Sequence, residues 1–289
     1  MTLTAHFWGT RGSVPSPGPA TVRYGGNTPC VELRTQGGTV VILDAGTGIR
    51  PLGNALLAEA GVAGRVEADV FLTHLHWDHI QGLPFFAPLF QAGSRVTVHT
   101  AATAVADAER VLHAQMATKV FPVTFAEVAA AVEFRALATG GCTRNGYTVR
   151  AHPVRHPGGA LGLRFAEAGG GALVYVPDNE LDPTVPYDAA RGWREDLIDF
   201  VRGARVLVHD SMYTAAEYVH HRGWGHSTYA DALALALDAE VETLVLFHHD
   251  PDRTDDGVDA ALADCRATVT RRGRALNVIA AAEGLRLDV

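Results

Sequence analysis

The stretch Thr73-His74-Leu75-His76-Trp77-Asp78-His79 carries three imidazoles and one carboxylate within six consecutive positions, directly after the apolar run Val70-Phe71-Leu72. Neutral imidazole nitrogens and carboxylate oxygens are ligands that suit zinc, manganese or iron. His74 and His76 are two positions apart, so they leave a strand end on the same side, and the last two residues can face a second ion. The stretch therefore predicts a metal-binding loop. A surface loop that is merely rich in histidine is the alternative.

Composition limits the class of protein. The chain has 289 residues, 47% of them hydrophobic, and a formal net charge of −8. An acidic chain has no global basic field to attract nucleic acid, although a local basic pocket stays open. We find no signal peptide, and no apolar run approaches the ~20 residues that a membrane span needs, so we expect a cytoplasmic protein without a membrane partner. The three cysteines fit neither a disulfide framework nor a Cys-type zinc site.

Apolar runs and turn signals predict strands and helices in alternation. Residues 161–166 and 172–176 are predicted to form a hairpin, because a run of three glycines separates them. Residues 228–238 have a helical pattern, and Ser227 is the predicted N-cap. Hairpins and crossovers of this kind indicate an α/β protein.

The order of these elements predicts the layers. Hairpins alternate with crossovers in two similar halves, so the sheets should be mixed, with both sheets inside and the helices outside. No linker separates the halves, which we expect to abut around residues 155–178. We therefore predict a single domain spanning residues 1–289.

Three further candidate ligands stand at strand ends. His156 follows a strand predicted at 147–154, Asp178 follows 172–176, and His248 follows 243–247. Chemistry in α/β folds is placed where strands stop and loops begin. Taken singly, a histidine there is often structural and an aspartate often forms a turn. Their joint placement favours a role in the metal site.

The chain resembles the metallo-β-lactamase superfamily, and within it the ribonuclease Z and phosphoribosyl cyclic phosphodiesterase branch. The resemblance covers nearly the whole chain and implies the four-layer αββα sandwich of that superfamily, with two mixed sheets between helices. The segments that carry it are His74-Leu75-His76-Trp77-Asp78-His79, Gly9-Thr10-Arg11-Gly12-Ser13, Leu43-Asp44-Ala45-Gly46, Val154-Arg155-His156, Gly162-Leu163-Arg164, Pro177-Asp178-Asn179, His209-Asp210-Ser211-Met212-Tyr213, Gly225-His226-Ser227-Thr228 and Leu244-Val245-Leu246-Phe247-His248.

The resemblance implies two divalent metal ions, zinc first, with manganese or iron as alternatives. The residues expected to bind them are His74, His76 and His156 at one ion, Asp78, His79 and His248 at the other, and Asp178 between the two. A hydroxide bridging the ions would be the nucleophile, since zinc lowers the pKa of bound water to ~7. The expected protein is thus a metal-dependent hydrolase.

An acid–base pair is implied by the same resemblance. His226 is the candidate proton donor to the leaving alkoxide, and Asp210 would orient it, alongside Asp78 as a residue of the catalytic centre. Asp210 replaces the glutamate of the family and is shorter by one methylene. Helix capping for His226 and a strand-end turn for Asp210 stay open. Asp44 is either a partner of a ligand histidine or a turn residue.

The substrate is predicted less directly. Ribonuclease Z carries a basic arm for tRNA, but only 22 positions separate His156 from Asp178 and they hold a tight hairpin. This spacing and the negative charge argue against a large nucleic acid and for a small or cyclic phosphodiester. The residues expected near the substrate are Arg11, Ser13, Arg23 and Asn27 as phosphate contacts and Trp77, Tyr213 and Trp224 as stacking surfaces, each with structural packing as its alternative.

Two other functions stay open at this point. The same metal site would hydrolyse a carboxylic ester, lactone or thioester. A metal-binding sensor without turnover is a further alternative, suggested by the departures from the family at Asn179 and Asp210. The branch often dimerises, so a homodimer is a further expectation. Whether His249 contacts the site is left open.

Overall fold

The computed structural model describes residues 3–61, 64–137, 140–188 and 190–289, and in these ranges the strands form two seven-stranded sheets. In chain order the strands are β1 (Thr4–Gly9), β2 (Cys30–Arg34), β3 (Val40–Leu43), β4 (Glu67–Phe71), β5 (Arg95–Ala101), β6 (Ala131–Leu137), β7 (Cys142–Arg144), β8 (Tyr147–Val154), β9 (Ala160–Glu167), β10 (Ala172–Val176), β11 (Val206–Asp210), β12 (Thr243–Phe247), β13 (Asn277–Ala280) and β14 (Arg286–Asp288). The α-helices are α1 (Ile49–Ala60), α2 (Trp77–Ile80), α3 (Val105–Gln115), α4 (Trp193–Val201), α5 (Ala215–His221), α6 (Tyr229–Asp238) and α7 (Asp255–Arg271).

Each sheet joins an antiparallel part to a parallel part. The first has the order β14-β1-β2-β3-β4-β5-β6, antiparallel up to β3 and parallel from β3 to β6. The second has the order β13-β12-β11-β10-β9-β8-β7, antiparallel from β7 to β10 and parallel from β10 to β13. The predicted mixed sheets are confirmed. The chain changes sheets between β6 and β7, so the predicted meeting of the halves around residues 155–178 is wrong.

Strand β12 shows how the layers arise from its sequence. Side chains alternate between the two faces of a strand. Leu244 and Leu246 pack into a core with helices α4, α6 and α7, whereas Val245 and Phe247 pack into the core between the sheets. Residues 244–247 are all apolar because both faces of the strand are covered there. A third core lies between the first sheet and α1 and α3, which confirms the four-layer αββα sandwich.

One predicted helix boundary is corrected. Helix α6 starts at Tyr229, and its N-cap is Thr228, whose side chain accepts a hydrogen bond from the main-chain N–H of Asp231. Ser227 was the predicted cap. Its hydroxyl instead donates to the carbonyl of Asn179 at 2.5 Å and accepts from the main-chain N–H of Leu181. Ser227 does not cap α6 because its hydroxyl bonds Asn179, 48 positions away in the sequence.

The core between the sheets draws side chains from both of them. For this reason we retain the prediction that residues 1–289 form one domain. Among the described residues, no helix is both long enough and apolar enough to cross a membrane. A cytoplasmic location stays a prediction.

Candidate metal centre

The site lies along one edge of the sandwich, where several strands end together. The carboxyl ends of parallel strands share one edge of a sheet. The residues at or just after these ends are Asp44 after β3, Thr73–His79 after β4, Asp178 after β10, Asp210 at the end of β11 and His248 after β12. His156, just after the antiparallel β8, reaches the same edge. The loop after β4 therefore meets the second sheet here.

The first cluster holds His74, His76, His156 and Asp178, whose ligand-type atoms lie within 4.8 Å of one another. Nε2 of His156 lies 2.9 Å from Nδ1 of His76 and 3.6 Å from Oδ2 of Asp178. Nε2 of His74 lies 3.7 Å from the same oxygen. His76 is the exposed member, so the cluster opens to solvent on its side.

The second cluster holds Asp78, His79 and His248. Oδ2 of Asp78 lies 3.4 Å from Nε2 of His79 and 3.2 Å from Nε2 of His248. Oδ1 of Asp178 lies 3.0 Å and 3.4 Å from the same two nitrogens. Asp178 thus turns one oxygen toward each cluster, the arrangement of a carboxylate placed between two ions.

The donor atoms fit a metal. Nε2 of His74, Nε2 of His79 and Oδ1 of Asp178 are buried and have no hydrogen-bond partner among the described residues, although the last two atoms lie only 3.0 Å apart. Buried polar atoms are normally paired, so such a group of inward-facing atoms needs a shared partner. Nitrogen and oxygen donors in clusters of three and four suit a divalent ion such as zinc.

The charges around the centre favour a cation. Burial opposes ionisation of Asp178, but His248, His79 and His74 outweigh it and hold the pKa of the carboxyl well below its usual value. Burial also opposes the charged form of His79, yet Asp178, Asp78 and Asp44 raise the pKa of this imidazole well above its ordinary value. The carboxylates attract a positive charge to the place where the clusters meet.

Asp44 fixes the orientation of one ligand-type histidine. Its carboxylate accepts from Nδ1 of His79 at 2.9 Å, from the main-chain N–H of Thr73 at 2.8 Å and from the hydroxyl of Tyr175 at 3.0 Å. Its φ of 59° is left-handed, a conformation that aspartate tolerates better than most residues. The open alternative of a mere turn is therefore superseded, because Asp44 leaves Nε2 of His79 free for a metal.

His226 and Asp210 form a pair beside the clusters. Nδ1 of His226 donates to Oδ2 of Asp210 at 2.8 Å, so the shorter aspartate does reach the imidazole. Burial lowers the pKa of His226, but Asp210, and further off Asp178 and Asp78, raise it to about 9. The imidazole ring lies 4.9 Å from that of His248. The Asp210 carboxylate thus favours the protonated form of an imidazole at the edge of the centre.

Of the predicted phosphate contacts, Ser13 lies at the site and Arg11 does not. Ser13 is exposed, and its main-chain N–H donates to Oδ2 of Asp78 at 2.8 Å. The fully buried guanidinium of Arg11 donates to the carbonyls of Gly25, Asp250 and Arg253. We therefore correct the expectation for Arg11, because each of its three side-chain nitrogens donates to a main-chain carbonyl.

Asn27 and Arg23 also have other partners. Asn27 bonds Glu283 through both its main-chain and side-chain nitrogens, and Arg23 pairs with three acidic residues at the start of α7. Both expectations of a phosphate contact are therefore replaced by structural roles. His249 is fully buried and donates to the carbonyl of Ala281, so its ring faces away from the centre.

Of the predicted stacking residues, Trp77 and Trp224 are 59% and 60% exposed. Trp77 stands between His76 and Asp78 in sequence, and Trp224 lies two positions before His226. Tyr213 is buried and stacks on His221. A cavity of about 450 Å³ adjoins the first cluster. His74, His76, Ala101, Ala104, Pro157 and Gly158 are among its lining residues, and the described part of the chain contributes no lysine or arginine to this lining.

Glu180 was missed by sequence reasoning. It is fully buried two residues after Asp178, and its carboxylate accepts hydrogen bonds from the main-chain N–H groups of Gly223 and Gly225 and from two tyrosine hydroxyls. The signal in the sequence that could have indicated Glu180 was its position two residues after Asp178, the candidate bridging carboxylate.

Comparison with known proteins identifies the class. Residues 39–249 match the family model described as Beta-lactamase superfamily domain, so the chain belongs to this superfamily. With the His/Asp clusters, the superfamily defines a metal-dependent hydrolase. The predicted family and enzyme class are confirmed.

Among its relatives is a Ribonuclease Z from Haloarcula marismortui, 25% identical over 281 residues that cover 86% of each chain. A Ribonuclease BN from Enterobacter sp. is 26% identical and covers 84% of this chain and 93% of the relative.

Solved structures share the fold. The metallo-beta-lactamase fold protein YhfI from Bacillus subtilis has a TM-score of 0.70 at 16% identity, with both chains covered completely. The short form of human tRNase Z has a TM-score of 0.67 at 18% identity, with 99% of each chain covered. A diphosphatase from the PhnP family has a TM-score of 0.64 at 20% identity, covering 99% of this chain and 98% of that one.

Proposed function

We propose that the protein is a two-metal phosphodiesterase that acts on a small or cyclic phosphodiester. The observation that carries this proposal is the placement of Asp178, with one carboxylate oxygen toward each cluster and the His226–Asp210 pair beside it. Two ions about 3.5–4 Å apart are the usual device for in-line displacement at phosphorus. The relatives named Ribonuclease Z support the phosphodiester class.

The residues divide into two ligand sets. We assign His74, His76 and His156 to one zinc ion and Asp78, His79 and His248 to the other, with Asp178 shared. When bound, the ions supply a nucleophile at neutral pH, because zinc lowers the pKa of a coordinated water to ~7. The main-chain N–H of Ser13 fixes Asp78, and Asp44 fixes His79.

His226 carries the proton that the leaving group needs. Cleavage of a phosphodiester expels an alkoxide, which is a poor leaving group unless it is protonated. The Asp210 carboxylate raises the pKa of His226 to about 9, which favours a protonated imidazole at neutral pH. Asp210 accepts from Nδ1, so Nε2 is the nitrogen that gives the proton.

Three observations favour a small substrate. The connection between β9 and β10 is a short glycine turn without a basic arm, and the net charge is −8. The described lining of the cavity beside His74 and His76 holds no lysine or arginine. The names of the relatives describe enzymes that cleave RNA, which weakens the exclusion of a large nucleic acid. A precursor tRNA therefore belongs among the test substrates.

The sensor alternative rested on the replacements at Asn179 and Asp210. Asp210 contacts His226 at 2.8 Å, and the amide of Asn179 contacts His209 and the main chain of Arg155. The replacements therefore leave the acid–base pair in place. The ester or lactone alternative uses the same ligands and is separated by assay.

The test is a substrate panel with zinc-loaded protein. The panel contains bis-(p-nitrophenyl) phosphate, 2′,3′- and 3′,5′-cyclic nucleotides, a precursor tRNA and a set of lactones and thioesters. We expect turnover of the small phosphodiesters and two zinc ions per chain by elemental analysis. His76→Ala should lose both zinc and activity. Turnover of lactones alone, or of precursor tRNA alone, would overturn the proposal.

A further inference from the structure

Glu180 lies in the interior, and its carboxylate accepts hydrogen bonds from four donors. Its carboxylate accepts from the main-chain N–H of Gly223 at 2.7 Å and of Gly225 at 2.8 Å, from the hydroxyl of Tyr187 at 2.6 Å and from that of Tyr218. Because four donors point at this side chain, it must offer acceptors and no donor. An ionised carboxylate is the side chain that does so. Truncating it would leave buried donors without partners, which is costly.

The segment that Glu180 holds carries two parts of the site. The carbonyl of Gly225 accepts from Nδ1 of His156 at 2.9 Å, which directs Nε2 of that imidazole into the first cluster. The next residue is His226. Gly225 has a φ of +91°, and a Cβ there would lie 2.2 Å from Nδ1 of His156. The position of this short segment therefore sets both imidazoles at once.

The main chain of Glu180 strengthens the same connection. Its N–H donates to the carbonyl of Arg155, the residue before His156, at 2.8 Å. On either side, the carbonyl of Asn179 and the N–H of Leu181 both bond the hydroxyl of Ser227. Residues 155–156, 179–181 and 223–227 are thereby tied together, with the Glu180 carboxylate at the junction.

We infer that Glu180 is a positioning residue that fixes the distance between the metal-ligand histidine His156 and the proton donor His226. It touches neither imidazole and acts through the main chain of Gly225. This inference rests on the proposed function for the role of His226. Misplacement of a catalytic group by about 1 Å can lower the chemical rate by as much as ~10²-fold.

The test compares Glu180→Gln with Asp182→Asn in the full-length, zinc-loaded protein. Glutamine keeps the size of the side chain but turns an NH₂ donor toward donors. Asp182 is a matched control, because its carboxylate contacts Tyr218, which also contacts Glu180, and Arg222. Among the described residues it makes no contact with 223–225. We expect Glu180→Gln to lower kcat about tenfold on an alkyl phosphodiester, with KM unchanged. On bis-(p-nitrophenyl) phosphate, whose leaving group needs no proton, the loss should be much smaller.

A second comparison shows whether the effect passes through His226. In a His226→Ala background, Glu180→Gln should produce little further loss of kcat on the alkyl substrate. Equal losses on both substrates, additive losses in the double variant, or the same losses in Asp182→Asn would each overturn the inference. Tyr187→Phe removes one donor without removing charge and should show a weaker form of the same pattern, which keeps the test usable if Glu180→Gln folds poorly.

A third measurement needs no turnover. Hydrogen–deuterium exchange of zinc-loaded protein should show faster exchange of the amides in residues 223–227 in Glu180→Gln and unchanged exchange there in Asp182→Asn. Zinc affinity, measured against a chromophoric chelator, should fall through the weakened hold on His156. Unchanged exchange and affinity would contradict the inference even if the assays had used the wrong substrate, so its failure is distinct from that of the proposed function.

Discussion

Asp44 shows how a residue that binds no substrate can decide the quality of a metal site. It is fully buried and holds the loop after β4 through Thr73 and the imidazole of His79. A carboxylate in this position fixes the ring tautomer and raises the basicity of the ligand nitrogen. The signal in the sequence was its place after an apolar strand, but its partners were not readable there.

Replacement of Asp44 by asparagine should weaken zinc binding. The amide presents an NH₂ group where an acceptor is needed, so the loss of affinity should be roughly 10- to 100-fold. Competition with a chelator measures it. Asp69→Asn is the control: Asp69 is an equally buried carboxylate that bonds His99, Arg144 and Tyr147 away from the centre. It should lower stability and leave zinc affinity unchanged. Equal zinc loss in both variants would show that the effect is a general loss of packing.

Replacement of His226 by alanine should separate metal binding from proton transfer. The variant should keep its zinc content, because the seven ligand-type side chains remain. It should lose about 10²–10³-fold in kcat on an alkyl phosphodiester and much less on a p-nitrophenyl ester. Elemental analysis and steady-state kinetics on both substrates measure this. Full activity on the alkyl ester would refute the role of His226 as general acid.

At the scale of elements, local patterns predicted which segments are strands and helices but not what their ends contact. The hairpin of β9 and β10 and helix α6 were predicted within a few residues. The N-cap was misassigned because Ser227 bonds Asn179, 48 positions away. Glu180 was missed for the same reason, since Gly223 and Gly225 lie 43 and 45 positions from it. Contacts this distant leave no periodic trace in the sequence.

The corrected cap of α6 makes a testable prediction. The hydroxyl of Thr228 accepts from the main-chain N–H of Asp231 at 3.1 Å and donates to its carboxylate. Thr228→Ala should therefore lower the free energy of unfolding by about 1 kcal/mol. Urea denaturation followed by circular dichroism measures it. Thr228→Ser retains the oxygen and should recover most of the loss. If the serine variant were as unstable as the alanine variant, the cap would not be the cause.

At the scale of the whole molecule, the layer order was predictable and the assignment of strands to sheets was not. Apolar residues on both faces of β12 indicate coverage on both sides, hence the four layers. The final strand β14, however, pairs with β1 at the other end of the chain. The guanidinium of Arg11 likewise reaches carbonyls about 240 positions away, so its polar character suggested a substrate contact that it does not make.

The stability of the fold should depend on acid through Glu32 in the first sheet. Burial opposes its ionisation, but hydrogen bonds from His6, Trp8 and Arg34 outweigh burial and lower its pKa from 4.5 to about 2. A lowered pKa stabilises the folded state above pH 4.5, and the contribution is lost as the pH falls from there toward 2. The upper limit is about 3 kcal/mol.

Glu32→Gln should therefore be less stable than the parent at pH 7, and the difference should shrink as the pH approaches 2.5. Thermal unfolding at several pH values between 2.5 and 7 measures this. Glu59→Gln is the control, because Glu59 also pairs with Arg34 but at the surface, where an ion pair contributes little. A difference that stays constant with pH would point to lost packing rather than lost charge.

The ligand-type side chains are divided between the sheets: the loop after β4 supplies four of them, and the second sheet supplies His156, Asp178 and His248. A chain in which the two sheets have not yet packed together offers only part of this set of ligand-type side chains. Tight zinc uptake is then restricted to molecules whose two halves have come together. Metal loading would thus report on maturation, because a newly made chain offers the complete donor set only after both sheets have packed together.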